Sequence, residues 1–388
     1  MKKLLLLVLA GLFACSTSTS NPPPCEGDDC NQTEPGEGGE GDNKGDGKLS
    51  VEGRKIMKNG QEVVLRGMSL YWFNGFWSGT SATSGNRFYT KETVMELANK
   101  DTWGANLVRA AIGSVHGKTD EAIAIAKEMI DWTKEAGIYV IIDNHTHIAH
   151  RPAPTASAKN FFGAISAYVK EKGYTHVFYE IYNEPVYDCD NEQTNDSRPA
   201  SCNTLTSWSQ IKSYSEDLIN TIRGNDPDGI ILVGTLGYSQ RIDLARADPI
   251  NARNIMYVLH FYASTHSITT GNFPIRLREA YCADFPVFIS EWGTTLASGT
   301  GTIDWNANND WMSFLQAAGL SWANWSLARL TESSAALSNS PAVGTATPEF
   351  TNINHQLSTS GQRVQTWIRE LNAGRSVEGV NPTPISCN

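Results

Sequence analysis

Tyr139-Val140-Ile141-Ile142-Asp143 is an apolar run closed by an acid, and Val177-Phe178-Tyr179-Glu180-Ile181-Tyr182 is a second short, mostly apolar run. Short runs rich in β-branched and aromatic residues read as buried strands. Between them, Ala158 to Lys172 reads as a helix. A strand, a helix and a strand in succession imply a parallel pair, because parallel strands need a long crossover. The unit repeats in both directions. Upstream, the pattern predicts strands over Val63 to Tyr71 and Asn106 to Ile112, and helices over Lys91 to Lys100 and Asp120 to Glu135. In the second helix Ala122, Ile123, Ala126, Met129 and Ile130 share one face. Downstream come helices over Thr206 to Arg223, Ser239 to Arg246, Phe273 to Cys282, Asn306 to Ala318 and Gln362 to Leu371. They alternate with strands over Gly229 to Gly234, Ile255 to His260, Val287 to Glu291 and Ser321 to Trp325. Strict alternation indicates an α/β fold, and eight units are the number that closes a (β/α)8 TIM barrel. An open doubly wound sheet is the competing topology, but no G-x-G-x-x-G follows the first strand. Turn signals at Val51-Glu52-Gly53 and Lys58-Asn59-Gly60 place a short β-hairpin ahead of the barrel.

The barrel domain is therefore expected over 49–388. Residues 1–15 read as a signal peptide of lipoprotein type: Lys2 and Lys3, then the apolar run Leu4 to Phe13, then Ala14-Cys15. Leu12-Phe13-Ala14-Cys15 resembles a bacterial lipobox, with Cys15 as the lipidated residue. The run is too short for a mature membrane-spanning helix. Residues 16–48 hold eight acids, two lysines and almost nothing apolar, so they read as a disordered tether. A secreted protein anchored to a bacterial membrane through lipid, at the outer membrane or cell surface, is the expectation. The remaining six cysteines suit an exported chain. Cys25 and Cys30 lie close together in the tether, Cys189 and Cys202 bracket a polar loop, and Cys282 and Cys387 could tie the C-terminus to the body. The net charge of −10 argues against nucleic acid as a partner, since phosphate binding needs a basic face.

Active sites of such barrels lie at the C-terminal ends of the strands. The residues at those ends are Trp72, Arg109, His145 with His147, Asn183-Glu184-Pro185, His260 with Tyr262, Glu291-Trp292-Gly293 and Trp325. Two carboxylates among aromatics, without a phosphate-binding glycine loop, fit glycoside hydrolysis: one acid protonates the leaving oxygen, one carboxylate attacks or activates water. Rim salt bridges are the plainer explanation for either glutamate alone, and lose force when both stand beside Asn or Trp.

The ordered set is similar to glycoside hydrolase family 5, in its bacterial cellulase-like subfamily, over roughly residues 49–372. The matching stretches are Leu65-Arg66-Gly67-Met68-Ser69-Leu70-Tyr71-Trp72-Phe73, Asn106-Leu107-Val108-Arg109 and Ile141-Ile142-Asp143-Asn144-His145. They continue with Tyr179-Glu180-Ile181-Tyr182-Asn183-Glu184-Pro185, His260-Phe261-Tyr262, Ile289-Ser290-Glu291-Trp292-Gly293 and Trp322-Ala323-Asn324-Trp325-Ser326-Leu327, with Glu332 beyond. The resemblance implies a retaining endo-β-1,4-glucanase that needs no metal or cofactor, acts on β-glucan and works as a monomer. Glu184 would be the acid/base, with a raised pKa, and Glu291 the nucleophile held ionised by Arg109. Tyr262 would orient Glu291, Asn183 would hold the sugar 2-hydroxyl, and His145 and His260 would hold sugar hydroxyls or Glu184. Trp72 and Trp325 would stack on sugar rings and Glu332 would bind substrate, while Trp322 is assigned to the core. Three positions depart from the subfamily at sites taken as substrate contacts: Gly113, Arg329-Leu330 and Asn144. Mannan, xyloglucan and mixed-linkage glucan are alternative substrates. A metallohydrolase built on Asp143, His145 and His147, and a non-catalytic glycan-binding lipoprotein, are the rivals from other classes.

Overall fold

The computed structural model describes residues 48–73, 88–113, 119–186, 188, 205–338, 353–354 and 357–387. Chain entry is an antiparallel three-stranded sheet in the order β1 (Leu49–Glu52), β2 (Lys55–Lys58) and β3 (Gln61–Glu62). The expected hairpin is thus present with one further strand. Residues 61–62, next to the stretch assigned to the first barrel strand, pair backwards with β2 because Asn59 and Gly60 turn the chain at positive φ.

Eight parallel strands follow: β4 (Arg66–Leu70), β5 (Leu107–Ile112), β6 (Tyr139–Asn144), β7 (Val177–Glu180), β8 (Ile230–Val233), β9 (Ile255–Tyr262), β10 (Val287–Gly293) and β11 (Trp322–Leu327). They close in chain order, with β11 pairing β4. The helices after them are α1 (Lys91–Ala98), α2 (Thr119–Ala136), α3 (Pro152–Lys172), α4 (Trp208–Arg223), α5 (Ile242–Ala247), α6 (Asn272–Cys282), α7 (Trp305–Ala318) and α8 (Thr359–Asn372). Strand alternation sorts the apolar residues into two sets. Val108, Val140, Ile142, Tyr179, Ile231, Tyr257 and Ile289 face the helices. Leu107, Ile141, Phe178, Leu232, Val258 and Phe288 fill the barrel, where Leu49 and Ile56 of the entry sheet join them.

Several helix ends differ from the sequence expectation by one to six residues, and two of them have a clear cause. Helix α3 begins at Pro152, ahead of Ala158, because prolines in a first turn leave no intrahelical hydrogen bond unmade. The segment Leu236–Ser239, whose last residue opened the expected helix over Ser239 to Arg246, is a turn with Gly237, Tyr238 and Ser239 all at positive φ, and the helix proper starts at Ile242. A disulfide joins Cys282 at the end of α6 to Cys387, as the leftover cysteines suggested. Cys15, Cys25, Cys30, Cys189 and Cys202 lie outside the described residues.

Candidate active site

Arg109, on β5, is the centre from which the site is built. Its side chain is fully buried, so its charge must be matched by protein groups. Nε donates to Glu180 Oε2 at 2.7 Å, and Nη2 meets Asp143 Oδ2 at 2.8 Å and Asn183 Oδ1 at 2.6 Å. Nη1 donates to Glu291 Oε2 at 3.0 Å. One guanidinium thus ties together strands β5, β6, β7 and β10. The Asn183 amide is oriented by this contact, which turns its NH2 end away from Arg109.

Glu291 is held from two sides, since Tyr262 Oη donates to its other oxygen, Oε1, at 3.0 Å. Gly293 makes this possible: a Cβ there would lie 2.3 Å from the Tyr262 ring. Glu184 faces a different set of partners. His260 Nδ1 lies 2.9 Å from its Oε1, and His147 Nε2 lies 3.0 Å from its Oε2. One ligand-type atom from each of Glu184, His260 and Glu291 falls within 4.8 Å of the other two. Strands β7 and β10 therefore bring the two carboxylates together across the top of the barrel.

Protonation follows from these contacts. Burial raises the Glu180 carboxyl, but Arg109 and then His260 outweigh it and bring it to about 2. Burial pushes Asp143 well above the usual carboxylate range despite Arg109, and Asp143 shares a 2.7 Å hydrogen bond with His145 Nδ1. Burial lowers His260, but Glu291, Glu180 and Glu184 outweigh it and push it up to about 9. Glu184 differs from expectation. Burial raises it, yet hydrogen bonds from His147 and His260 hold it below the ordinary carboxylate range. The expected raised acid is corrected by the two imidazoles beside it. Bond accounting explains how a proton is still stored. Ser290 Oγ donates to Glu180 at 2.6 Å, so it accepts from His260 Nε2 at 2.9 Å. His260 Nδ1 and Glu184 Oε1 then share one proton, on the nitrogen in the resting site.

Trp325 and Trp72 reach the site with 8% and 5% of their surface exposed. The Trp325 ring stacks on His145 at 5.0 Å with planes 2° apart, while Trp72 meets His145 edge-on at 4.9 Å. His145 is a spacer between the two indoles, and its Nδ1 bonds Asp143 and not Glu184. Glu332 is half-buried, and burial followed by Glu291 raises its carboxyl. Trp322 is in the core against Trp292, as assigned. Asn144, expected at a substrate contact, is instead fully buried with its amide toward Tyr214 Oη on α4, because successive residues of a strand face opposite sides. The histidines His145 and His147 diverge, one to Asp143 and one to Glu184, and Arg109 already occupies Asp143, so the H-x-H metal grouping does not converge.

Residues 56–329 match the family described as Cellulase (glycosyl hydrolase family 5). The chain belongs to glycosyl hydrolase family 5. Within the family it is 36% identical to endoglucanase Z of Dickeya dadantii over 285 residues, covering 72% of this chain and 59% of that protein. A cellulase of Thermoanaerobacterium sp. is 31% identical, with 83% and 81% of the two chains covered. The catalytic domain of a Thermobifida fusca endoglucanase, solved as a variant in complex with cellotetraose, is 28% identical with a TM-score of 0.65, covering 83% of this chain and 97% of that one. Against several curated relatives, this family 5 chain spans about three fifths of their length.

Sequence reasoning missed four contributors to this family 5 site. Glu180 closes β7 and Ser290 stands inside β10, both on the face that turns into the barrel, and an acid within an apolar run was the available signal. His147 was read only as a metal ligand. Tyr238 lies 42% exposed with its ring edge-on to His147 at 6.1 Å. An aromatic next to glycine just past a strand end could have marked it.

Proposed function

We propose that the chain is a secreted retaining endo-β-1,4-glucanase, with Glu291 as nucleophile and Glu184 as acid/base. One observation carries the reading: two carboxylates with one oxygen of each within 4.8 Å of the other, one held by Arg109 and Tyr262, the other by two histidines. Oxygens that close suit direct attack, for which the carboxyl groups stand about 5–5.5 Å apart, whereas an inverting pair stands roughly 6.5–9.5 Å apart to admit water. The relatives named as endoglucanases, and the related domain bound to cellotetraose, support the substrate class.

In this reading each group has a task. Glu291 attacks the anomeric carbon, and the glycosidic C–O bond breaks. The proton shared by Glu184 and His260 passes through Glu184 to the leaving oxygen, so Glu184 finishes as a carboxylate. Entry of a sugar next to Glu184 displaces its solvent contact and favours the neutral acid, which moves the shared proton from His260 to Glu184. Glu184 then takes a proton from water, whose oxygen bonds the anomeric carbon as the Glu291 ester breaks. In this reading Asn183, whose amide is fixed by Arg109, bonds the sugar 2-hydroxyl, and Trp325 offers an apolar ring face. Trp72, edge-on to His145, supports that platform more than it forms one.

The roles separate by mutation. Glu291→Ala removes both chemical steps on any substrate. Glu184→Ala retains glycosylation of an aryl glycoside with a good leaving group, slows deglycosylation, and is rescued by azide. Equal loss in both variants without azide rescue overturns the assignment, and an inverted anomer seen by NMR overturns retention. The same proposal includes residues 1–15 as a leader, residues 16–48 as a tether, lipid on Cys15 and a Cys189–Cys202 disulfide. Among the described residues no helix is long and apolar enough to cross a membrane. Mass spectrometry that finds an unmodified N-terminus other than Cys15 rejects the anchor.

A further inference from the structure

A cavity of about 600 Å³ opens beside the cleft, between Val186 on the segment after β7, the Leu236–Arg241 turn after β8 and the loop after β9. It begins two residues past Glu184 and shares a wall with the site through His266, whose Nδ1 accepts from the Tyr262 backbone N–H at 2.9 Å. The strand ring runs β10-β11-β4-β5-β6-β7-β8-β9, so this cavity lies across the barrel mouth from Trp325 on β11 and Trp72 beyond β4. On the glucanase reading, Trp325 marks the side that holds the sugar attacked. The cavity is on the side of the acid/base, where the leaving fragment departs.

Its chemistry is unlike that of the chain as a whole, which carries a net charge of −10. Arg241 and Arg276 line it, and no lining residue is acidic among the described ones. Both guanidinium groups turn to the same carboxylate behind them: Arg241 Nη2 lies 2.8 Å and Arg276 Nε 3.1 Å from Asp243. Two cations share one anion, which leaves a surplus positive charge among the described residues that line the pocket. Burial, and then Arg241 against the opposing pull of Asp243, lowers the Arg276 pKa. An incoming anion would relieve both costs. Burial holds His266 down to about 4, so it adds a neutral wall. Leu236 and Phe273 supply apolar surface of the kind a sugar ring covers. Asp243 takes Nε and Nη2 of Arg241 and Nε of Arg276, and the Gln240 carbonyl takes Nη1 of Arg276. Arg241 Nη1 and Arg276 Nη2 are left to meet a ligand; neutral glucan has no use for two such cationic donors, whereas a carboxylate accepts from both.

We infer that this pocket binds the carboxylate of a uronosyl residue on the leaving-group side, so that the enzyme prefers acidic over neutral β-1,4-glucan. The inference rests on the glucanase reading above, and its test separates the two. Cello-oligosaccharides and chains of matched length partly oxidised at C6 are the two substrates, with kcat/KM measured for each and the fragments located by mass spectrometry. Wild type should cut the oxidised chains about tenfold faster, as for one charge-assisted contact, with the uronosyl residue in the leaving fragment. The Arg241→Gln/Arg276→Gln pair should lose this preference and keep its rate on neutral chains, which also shows that it is folded. Should the pair fail to fold, Arg241→Gln alone, with more than a third of its side chain exposed, should lose part of the preference. Asp243→Asn should widen it. Equal rates on the two substrates in wild type, or a preference indifferent to the arginines, overturns the pocket while leaving the glucanase reading standing. Cleavage of neither substrate overturns that reading, and calorimetric titration of the oxidised chains into wild type and Arg241→Gln then decides the pocket alone: tighter binding by wild type upholds it, equal binding ends it.

Discussion

On β5, Leu107 faces the lower interior of the barrel and Arg109 the upper; on β6, Tyr139 and Ile141 give way to Asp143; on β7, Phe178 gives way to Glu180; on β9, Val258 gives way to His260. The same strands, stepping by two residues, therefore pass from an apolar plug to a charged network. The lower end needs only volume and is sealed by Leu49 and Ile56 of the entry sheet. The upper end needs each charge matched to a partner, since Arg109, Asp143 and Glu180 are all fully buried. A barrel can carry such a network because the plug beneath it supplies cohesion that the network does not. The lower end tolerates shape changes in proportion to lost contacts, while the upper end fails when one partner is removed.

The largest expected effect comes from breaking the upper end at its centre. Arg109→Leu leaves Glu180, Asp143 and Glu291 without their shared cation. The expected loss is roughly 3–5 kcal/mol in denaturant unfolding, together with nearly all glycosidase activity. A variant as stable as wild type would remove the distinction between the two ends. At the lower end, Phe178→Ala should cost a similar 3–5 kcal/mol through its cavity. Here, however, kcat measured well below the melting temperature should stay within about twofold of wild type. A large fall in kcat with the fold intact would show that the layers are coupled.

A third effect is set by pH. The folded pKa of His260 is about 9, above its ordinary 6.5, so its contribution is fully present below pH 6.5 and is lost as pH rises through 9. The difference corresponds to stabilisation on the order of 3 kcal/mol. Unfolding free energies at pH 6 and pH 10 should thus converge between wild type and His260→Asn. Parallel curves would assign the proton elsewhere. The smallest effect belongs to the surface of the entry sheet. Lys55 and Glu62 pair at 2.7 Å but are both more than a third exposed. Lys55→Ala should shift stability by about 1 kcal/mol or less, whereas Ile56→Ala, which opens the plug, should cost about 2–5 kcal/mol by the same assay.

The eight strand–helix units were legible because each strand is a short apolar run that stands out from its flanks, and β11 closing on β4 follows from their number. Arg109, Asn183, Glu184, His260, Tyr262 and Glu291 were legible because polar residues at the ends of apolar runs are conspicuous. Glu180 and Ser290 were not, since a polar residue inside a run shows its role only when its inward direction is known. The Tyr238 turn was also obscure, because three successive positive φ angles have no sequence pattern beyond one glycine.

By itself, then, the sequence determined the barrel and the two carboxylates proposed to react, because periodicity and chain order are local properties. The tertiary structure alone decided the protonation of Glu184. Glu184 is lowered and not raised because His147 and His260, from the β6 end and β9, are carried to it by the closing of the ring. Charge interactions depend on distance through space and on burial, and neither is written in the spacing of residues along a chain.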